Sequence, residues 1–350
     1  MQRKWRVGIV GLGHWYSGYG LARALPEYPK AELVAVAYHD QAKTQEFADT
    51  FHVTGYTSYD DLLARQDIDI VHIAPPVVEI PECTIKAAQA GKHIILGKPM
   101  AMTVAQADEM IAAVKKAGVK CVPWQGLRRV RNALKRQLNE GLIGKIKVMH
   151  VTIQQGIAED WSRSGTPGWF GDPKQVPGGS FIDEGIYSID QMLFLAGSKV
   201  AVVEWAKMAN LVHPGLEVED WMMAAFTFEN GIVATLESGW TISVPRLSGP
   251  SPKQNAVHRM EIIGTEGQIV NDRLSGSGEA MLTKEHPYWT FARPVGAYAV
   301  APNPGALDYL IGCIEENRGP EGDMLQAARD SLAVALAAYE AARKGSPVRL

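Results

Sequence analysis

Cysteine is scarce in this sequence: Cys83, Cys121 and Cys313 are the only three in 350 residues. They are far apart, odd in number and in no metal-ligand spacing, which excludes a disulfide framework and a cysteine-based metal site and leaves reduced core residues. A block of positive charge is missing too. With a formal net charge of -3, the chain has no electrostatic footprint for nucleic acid or for an anionic membrane surface. No uninterrupted apolar run approaches the roughly 18 residues of a membrane span. The opening, MQRKWRVGIVGLG, passes directly into a strand and leaves no room for a signal peptide. Internal repeats and low-complexity segments are also absent. The expectation is a cytoplasmic protein with neither nucleic-acid nor membrane partners, binding small neutral or weakly charged molecules.

What is present suits an ordinary globular enzyme, with 46% hydrophobic and 21% charged residues. At this length the chain is long for a single core, and two domains are expected. Residues 5–10, WRVGIV, form a β-branched apolar run that leads into Gly11 and Gly13. A helix over 18–28 and a strand over 32–37 complete the opening of a dinucleotide-binding βαβ unit. The alternation continues with helices over 41–51, 79–90 and 103–117 and strands over 69–73, 93–96 and 119–123. Such alternation predicts a doubly wound parallel sheet in a first domain, residues 1–124. Beyond it a basic helix over 128–140 gives way to strand-like runs over 145–155, 200–211, 221–228, 232–239 and 258–263. The turns Asn230-Gly231 and Thr265-Glu266-Gly267 join neighbours among them, so residues 125–350 read as an α+β domain with an open, largely antiparallel sheet. An uncovered apolar face on that sheet would call for a partner copy, a homodimer or homotetramer. The alanine-rich segment from Met324 to Ala342, closed by Gly345, predicts a last helix that returns to the first domain.

Three stretches carry chemistry. Gly11 and Gly13 permit a tight turn and close approach of a pyrophosphate to a helix amino terminus. The third glycine of G-x-G-x-x-G is replaced by Tyr16, with the next at Gly18, so His14, Trp15 and Tyr16 read as a bulky, lengthened loop that clamps a dinucleotide. At the end of the second strand an acidic residue would bind the adenine-ribose hydroxyls and an arginine a 2′-phosphate. Neither stands at the usual place. Tyr38 occupies it, His39 follows, and Asp40, two further on, is as easily the N-cap of the next helix. The balance favours NAD over NADP.

The second stretch is GKHIILGKPMAMT, residues 91–103, where Lys98 follows a short buried strand and precedes Pro99. A lysine at the carboxyl end of a parallel strand sits where open α/β sheets place ligands, and the proline stiffens the loop that aims it. The third is PGGSFIDEGIYSIDQMLFLAG, residues 177–197. Read as an α-helix opening after Gly179, it lines up Asp183, Tyr187 and Asp190 on one face beside an apolar stripe. A carboxylate one turn from a phenol is a workable acid/base pair, and a nearby lysine would lower the phenol pKa. The same residues would also serve as a local backbone cap and ordinary packing. Trp161, Trp169 and Phe170 offer aromatic faces that could stack on a ligand or belong to a core or a dimer contact.

The order of GxG, Ala74-Pro75-Pro76, AGKHIILGKP and GGSFIDEGIYSID resembles the Gfo/Idh/MocA family, named for glucose-fructose oxidoreductase, inositol dehydrogenase and a rhizopine-catabolism protein. The resemblance spans nearly the whole chain. It implies a Rossmann domain, a carboxy-terminal open sheet used in oligomerisation, and hydride transfer between NAD or NADP and a sugar, cyclitol or related polyol. The family's E-K-P motif maps onto Gly97, Lys98 and Pro99, so the lysine carries over and the glutamate does not. Its D-x-G-x-H-x-x-D motif maps onto Asp183, Gly185, Tyr187 and Asp190, with tyrosine in place of histidine. The implied cofactor contacts are Gly11, Gly13, His14, Trp15, Tyr38, His39, Pro75, Pro76 and Lys98. Lys98, Asp183 and Tyr187 are the implied catalytic residues. The histidine usual after the fourth strand is replaced near Ile80, and the loop after the sixth strand reads Trp124-Gln125-Gly126-Leu127-Arg128. Gln125, Arg128, Trp161 and Trp169 are therefore the candidate substrate contacts, and no metal is expected. Two other readings stay open. One is a tightly bound cofactor recycled in sugar-to-sugar redox or glycoside cleavage, and the other is a non-catalytic nicotinamide sensor.

Overall fold

A computed structural model describes residues 3–129, 133–156, 166–241, 257–272, 278–283, 290–292 and 305–350. The chain divides into two units: Met1–Leu127, Lys174–Val176 and Val300–Arg329 form the first, and Arg128–Pro173, Pro177–Ala299 and Asp330–Leu350 the second.

The first unit is built on six parallel strands: β1 (Trp5–Val10), β2 (Ala31–Ala37), β3 (Thr54–Tyr56), β4 (Ile70–Ile73), β5 (His93–Leu96) and β6 (Cys121–Pro123). Their order across the sheet is β3-β2-β1-β4-β5-β6. All four residues of β4 are buried, as a parallel sheet covered on both faces requires. The connecting helices are α1 (Trp15–Ala24), α2 (Gln41–Phe51), α3 (Tyr59–Leu63), α4 (Ile80–Gln89) and α5 (Val104–Ala117). Local chemistry sets their ends. Thr103 and Gln106 form a reciprocal capping box on α5, which stops at Gly118 in the left-handed region with Lys115 and Lys116 in its last turn.

The second unit contains α6 (Ala133–Asn139) and α7 (Ile186–Ala196) together with a nine-stranded sheet. Its strands are β7 (Ile146–Gln154), β8 (Val200–Ala209), β9 (Trp221–Phe228), β10 (Val233–Gly239), β11 (Val257–Gly264), β12 (Gly267–Asp272), β13 (Gly278–Thr283), β14 (Thr290–Ala292) and β15 (Val348–Arg349). They run in the order β14-β13-β12-β11-β7-β10-β9-β8-β15. Every pairing is antiparallel except β7 with β10, so the sheet is mixed at its centre. Side chains alternate across it: Met149, Val151 and Ile153 of β7 and Ala234 and Leu236 of β10 are buried, while His150 of β7 and Val233 of β10 face out. Gly231, at φ 81°, makes the β9–β10 turn. Two more helices are α8 (Gly305–Glu315), which packs on β5 and β6, and α9 (Met324–Lys344). The first residues of α9 belong to the first unit, where Arg329 pairs with Asp108 of α5 at 2.9 Å, and the rest belong to the second.

Several local expectations need correcting. α1 begins at Trp15, directly after its N-cap His14, so the glycine turn is not lengthened, and Pro26 ends the helix in a 3-10 turn, Leu25–Glu27. The segment 124–129 is a 3-10 helix. The short pieces β3 and α3, the strands β12 to β15 and the helix α8 were not foreseen, because spans this short or this weakly patterned give little periodicity. Most consequential, residues Phe181–Gly185 form a π-helical turn before α7 begins at Ile186. Only Tyr187 and Asp190 share α-helical spacing, and Asp183 leaves from the wider turn.

Candidate active site

At the carboxyl edge of the parallel sheet, strand order reverses between β1 and β4, the place where open α/β folds bind ligands. Gly11, at φ 88°, and Gly13 occupy the turn after β1. A Cβ on Gly11 would lie 2.3 Å from the Pro75 nitrogen, and one on Gly13 would lie 2.5 Å from that of Pro76. Both glycines are thus required by the loop after β4, a reason that the fingerprint alone does not reveal. Gly18, by contrast, sits inside α1 with ordinary spacing to Leu12 and Ile9. Among the described residues no side-chain hydrogen bond caps α1, and no acidic residue lies in its first turn, so the positive end of its dipole suits an anion such as a pyrophosphate.

His14 is buried and doubly anchored: its N–H donates to the Ala74 carbonyl at 2.8 Å, and its ring Nδ1 lies 2.9 Å from the Pro75 oxygen. Burial and the nearby Lys98 ammonium push its pKa down to about 3, so the imidazole is neutral. Beneath it, fully buried His72 of β4 places Nε2 2.9 Å from Ser17 Oγ and Nδ1 3.3 Å from the Ile95 carbonyl. The Ser17 hydroxyl donates to the His14 carbonyl at 2.9 Å, so this one side chain links the two histidines. Desolvation lowers the His72 pKa to about 4. No sequence motif announces this His14–Ser17–His72 chain, although a lone histidine in an otherwise apolar parallel strand is a signal that a paired polar group lies inside.

Lys98 itself is buried, and its peptide bond to Pro99 is cis. Gly97, in the position of the family's glutamate, donates its N–H to the Ile73 carbonyl at 2.9 Å, and a Cβ there would stand 2.7 Å from that same oxygen. Gln125 is buried with no partner for its Oε1 among the described residues. The side chains of Trp15 and Arg128, and Trp161 altogether, lie outside the described residues.

At the end of β2 one of the open readings is decided. Asp40 caps α2, accepting from the Lys43 N–H at 3.1 Å, and also pairs with the Lys43 ammonium at 3.2 Å. Tyr38 packs into the cluster of Ile9, Leu12, Val36 and Phe47. Burial and the charges of Glu79 and Asp40 push its phenol up to about 12. The carboxylate of this corner is Glu79, which the sequence marks only as the first residue of a helix. It accepts from Tyr59 Oη at 2.7 Å and lies 3.8 Å from His39 Nδ1.

In the second unit, Asp183 is buried on the π-turn, and Tyr187 and Asp190 are buried on α7. Asp190 accepts weakly from Ser331 Oγ of α9 at 3.4 Å. Trp169 is half-buried and stacked on buried Phe170, with ring centroids 3.8 Å apart.

The buried histidines generate a pH prediction. Between pH 6.5 and about 4 an unfolded histidine binds a proton that native His72 refuses, so stability falls with pH over that window. For His72 the difference is worth roughly 3 kcal/mol. Glu219 of the second unit, pushed by burial up to about 7, acts with the opposite sign. Denaturant unfolding of the parent and of His72→Gln isolates the histidine contribution: the parent's stability advantage should shrink markedly from pH 7.5 to pH 5. An advantage independent of pH would refute the neutral assignment.

Comparison with known proteins agrees with this architecture. An oxidoreductase family with an NAD-binding Rossmann fold matches residues 5–124, and the GFO/IDH/MocA C-terminal domain matches residues 132–270. A levoglucosan dehydrogenase of Pseudarthrobacter phenanthrenivorans is 30% identical over 297 residues, covering 75% of this chain and 72% of that one. The crystal structure of the aldose-aldose oxidoreductase from Caulobacter crescentus, complexed with glycerol, is 27% identical with a TM-score of 0.78, covering 99% of this chain and all of that one. The WlbA dehydrogenase from Bordetella pertussis, in complex with NADH and UDP-GlcNAcA, is 25% identical with a TM-score of 0.79 and 99% coverage of both chains. The chain belongs to the Gfo/Idh/MocA family and is a nicotinamide-dependent oxidoreductase.

Proposed function

We propose that the protein transfers a hydride between NAD and a secondary alcohol of a sugar, glycoside or cyclitol, with Lys98, Asp183 and Tyr187 acting on one substrate. The observation that carries this reading is a lysine buried at the carboxyl end of β5, beside the glycine turn of a nicotinamide-dependent family. Burying an ammonium costs several kcal/mol, and a fold retains one where its charge is used. The other buried lysine among the described residues, Lys92, has a plain structural role, since its ammonium donates to the Arg65 and Ile68 carbonyls.

Tyr187 takes the hydroxyl proton, Lys98 hydrogen-bonds the reacting oxygen, and Asp183 accepts a neighbouring hydroxyl to orient the ring. The bound nicotinamide serves as hydride acceptor or donor. Trp169, Gln125, Arg128 and Trp161 remain the proposed substrate contacts. Mixing the protein with NAD or NADP and a panel of aldoses, glycosides and inositols should raise the absorbance of reduced nicotinamide for one sugar class. Lys98→Met should cut that turnover by about 100-fold or more. Full turnover in the variant would sink the mechanism. The resemblance to an aldose-aldose oxidoreductase over the whole chain supports a second reading, in which the cofactor stays bound and is recycled between two sugars. No absorbance change, with nicotinamide retained through dialysis, would favour it.

The preference for NAD rests on Glu79 and Asp40. Two carboxylates flank His39, and Lys43 is already engaged by Asp40, so a 2′-phosphate would meet net negative charge. Steady-state comparison should give kcat/KM at least tenfold higher with NAD, and Glu79→Gln should narrow the gap. A preference for NADP would overturn the assignment.

The outer face of the nine-stranded sheet supports self-association, with a second copy of this chain as the partner. Trp205 and Val233 are each 44% exposed there, beside half-buried Val148, Met223 and Ile263. Sedimentation velocity at micromolar concentration should show a dimer or tetramer, and a monomer would refute this.

A further inference from the structure

The π-turn that carries Asp183 is gripped by a buried polar node from elsewhere in the chain. Glu219, just before β9, accepts the Gly179 N–H on Oε2 at 2.8 Å and the Phe181 N–H on Oε1 at 2.9 Å. Tyr339 of α9 donates its hydroxyl to Glu219 Oε1 at 2.8 Å and accepts the Ile182 N–H at 3.1 Å. Three amides immediately before Asp183 are thereby fixed by two side chains, and the Asp183 N–H donates to the Gly179 carbonyl at 3.0 Å.

The fit is steric as well as polar. A Cβ on Gly179 would lie 1.9 Å from the Glu219 carbonyl oxygen, and one on Gly178 would lie 2.2 Å from Tyr339 Oη, so the glycine pair exists to admit the node. Phe181 and Tyr339 meet edge to face, with ring centroids 6.0 Å apart. Glu219 is held in turn by its neighbour. The Asp220 carboxylate accepts the N–H groups of Leu211, Val212 and His213 at 2.7 to 2.8 Å, and the Asp220 carbonyl accepts the Trp240 N–H at 2.6 Å. A carboxylate facing three donors is suited to the ionised form, yet burial raises its pKa to about 7 and holds the Tyr339 phenol protonated. A fold that needed only to stabilise this corner would do as well with apolar packing.

We propose that Glu219 and Tyr339 are positioning residues: they set the π-turn so that Asp183, and Tyr187 one turn later, meet the substrate in a productive orientation. The proposal rests on the catalytic reading of Asp183 and Tyr187 given above. Steady-state kinetics of full-length Glu219→Gln and Tyr339→Phe test it, with Lys98→Met as the reference. The amide turns donors toward the amides that the carboxylate accepted, and the phenylalanine keeps the ring while losing two hydrogen bonds. Both variants should bind NADH with a Kd within about twofold of the parent while kcat falls at least tenfold and the sugar KM rises. The double variant should lose little more than the worse single one, since both act through one turn. Faster amide hydrogen exchange confined to residues 178–187 should accompany the loss.

A merely structural role would lower the active fraction and the melting temperature while leaving the sugar KM of the surviving molecules unchanged, and that pattern would overturn the proposal. So would Tyr339→Phe at parental kcat and exchange rates. Should Glu219→Gln fail to fold, Tyr339→Phe decides alone. Failure of the underlying reading looks different: Lys98→Met would then keep full turnover, or the parent would oxidise no sugar, and in the latter case the exchange measurement still judges the node itself.

Discussion

The carboxyl edge of the first unit depends on how closely the Pro75–Pro76 backbone crosses Gly11 and Gly13. With no Cβ on either glycine, the chain leaving β4 lies directly on the chain leaving β1, and the two strands between which the sheet reverses are locked at the point where a dinucleotide enters. The consequences run downward. His14 is pinned by the Ala74 and Pro75 carbonyls, α1 starts at once, and Ser17 is delivered one turn later to the buried ring of His72. A buried polar chain therefore underlies the loop. Because burial keeps both imidazoles neutral, no second positive charge accumulates beside Lys98.

Much of this was legible in the sequence, for a physical reason. Parallel strands buried on both faces are apolar along most of their length, so WRVGIV and HIIL announce themselves, and Thr103 with Gln106 marks a helix start because four orphan amides need acceptors. Other features rest on contacts between residues far apart in the chain, which no local pattern encodes. Nothing in GGSFIDEGIY says that Glu219 and Tyr339 will take three of its amides, and an α-helical reading of Asp183, Tyr187 and Asp190 followed. Nothing near Tyr38 says that its ring will fill the space between α1 and α2, leaving Glu79, from the other side of the sheet reversal, to supply the carboxylate of that corner.

Position 97 is where family motif and fold meet. Against the motif, glycine in place of glutamate looks like a lost component of the catalytic machinery. In the fold it is a packing requirement. The Gly97 N–H extends the β4–β5 ladder by one rung to the Ile73 carbonyl, and that rung brings the oxygen within 2.7 Å of where a Cβ would stand. No side chain fits unless the two strands separate, and they are the strands that aim Lys98 and the Pro75–Pro76 loop. In this chain the lysine is therefore held by main chain: by the ladder on one side and by the proline that follows it on the other. A site that had merely decayed would be free to accept a bulkier residue at 97, whereas this one has closed around the glycine and kept the ammonium buried behind it.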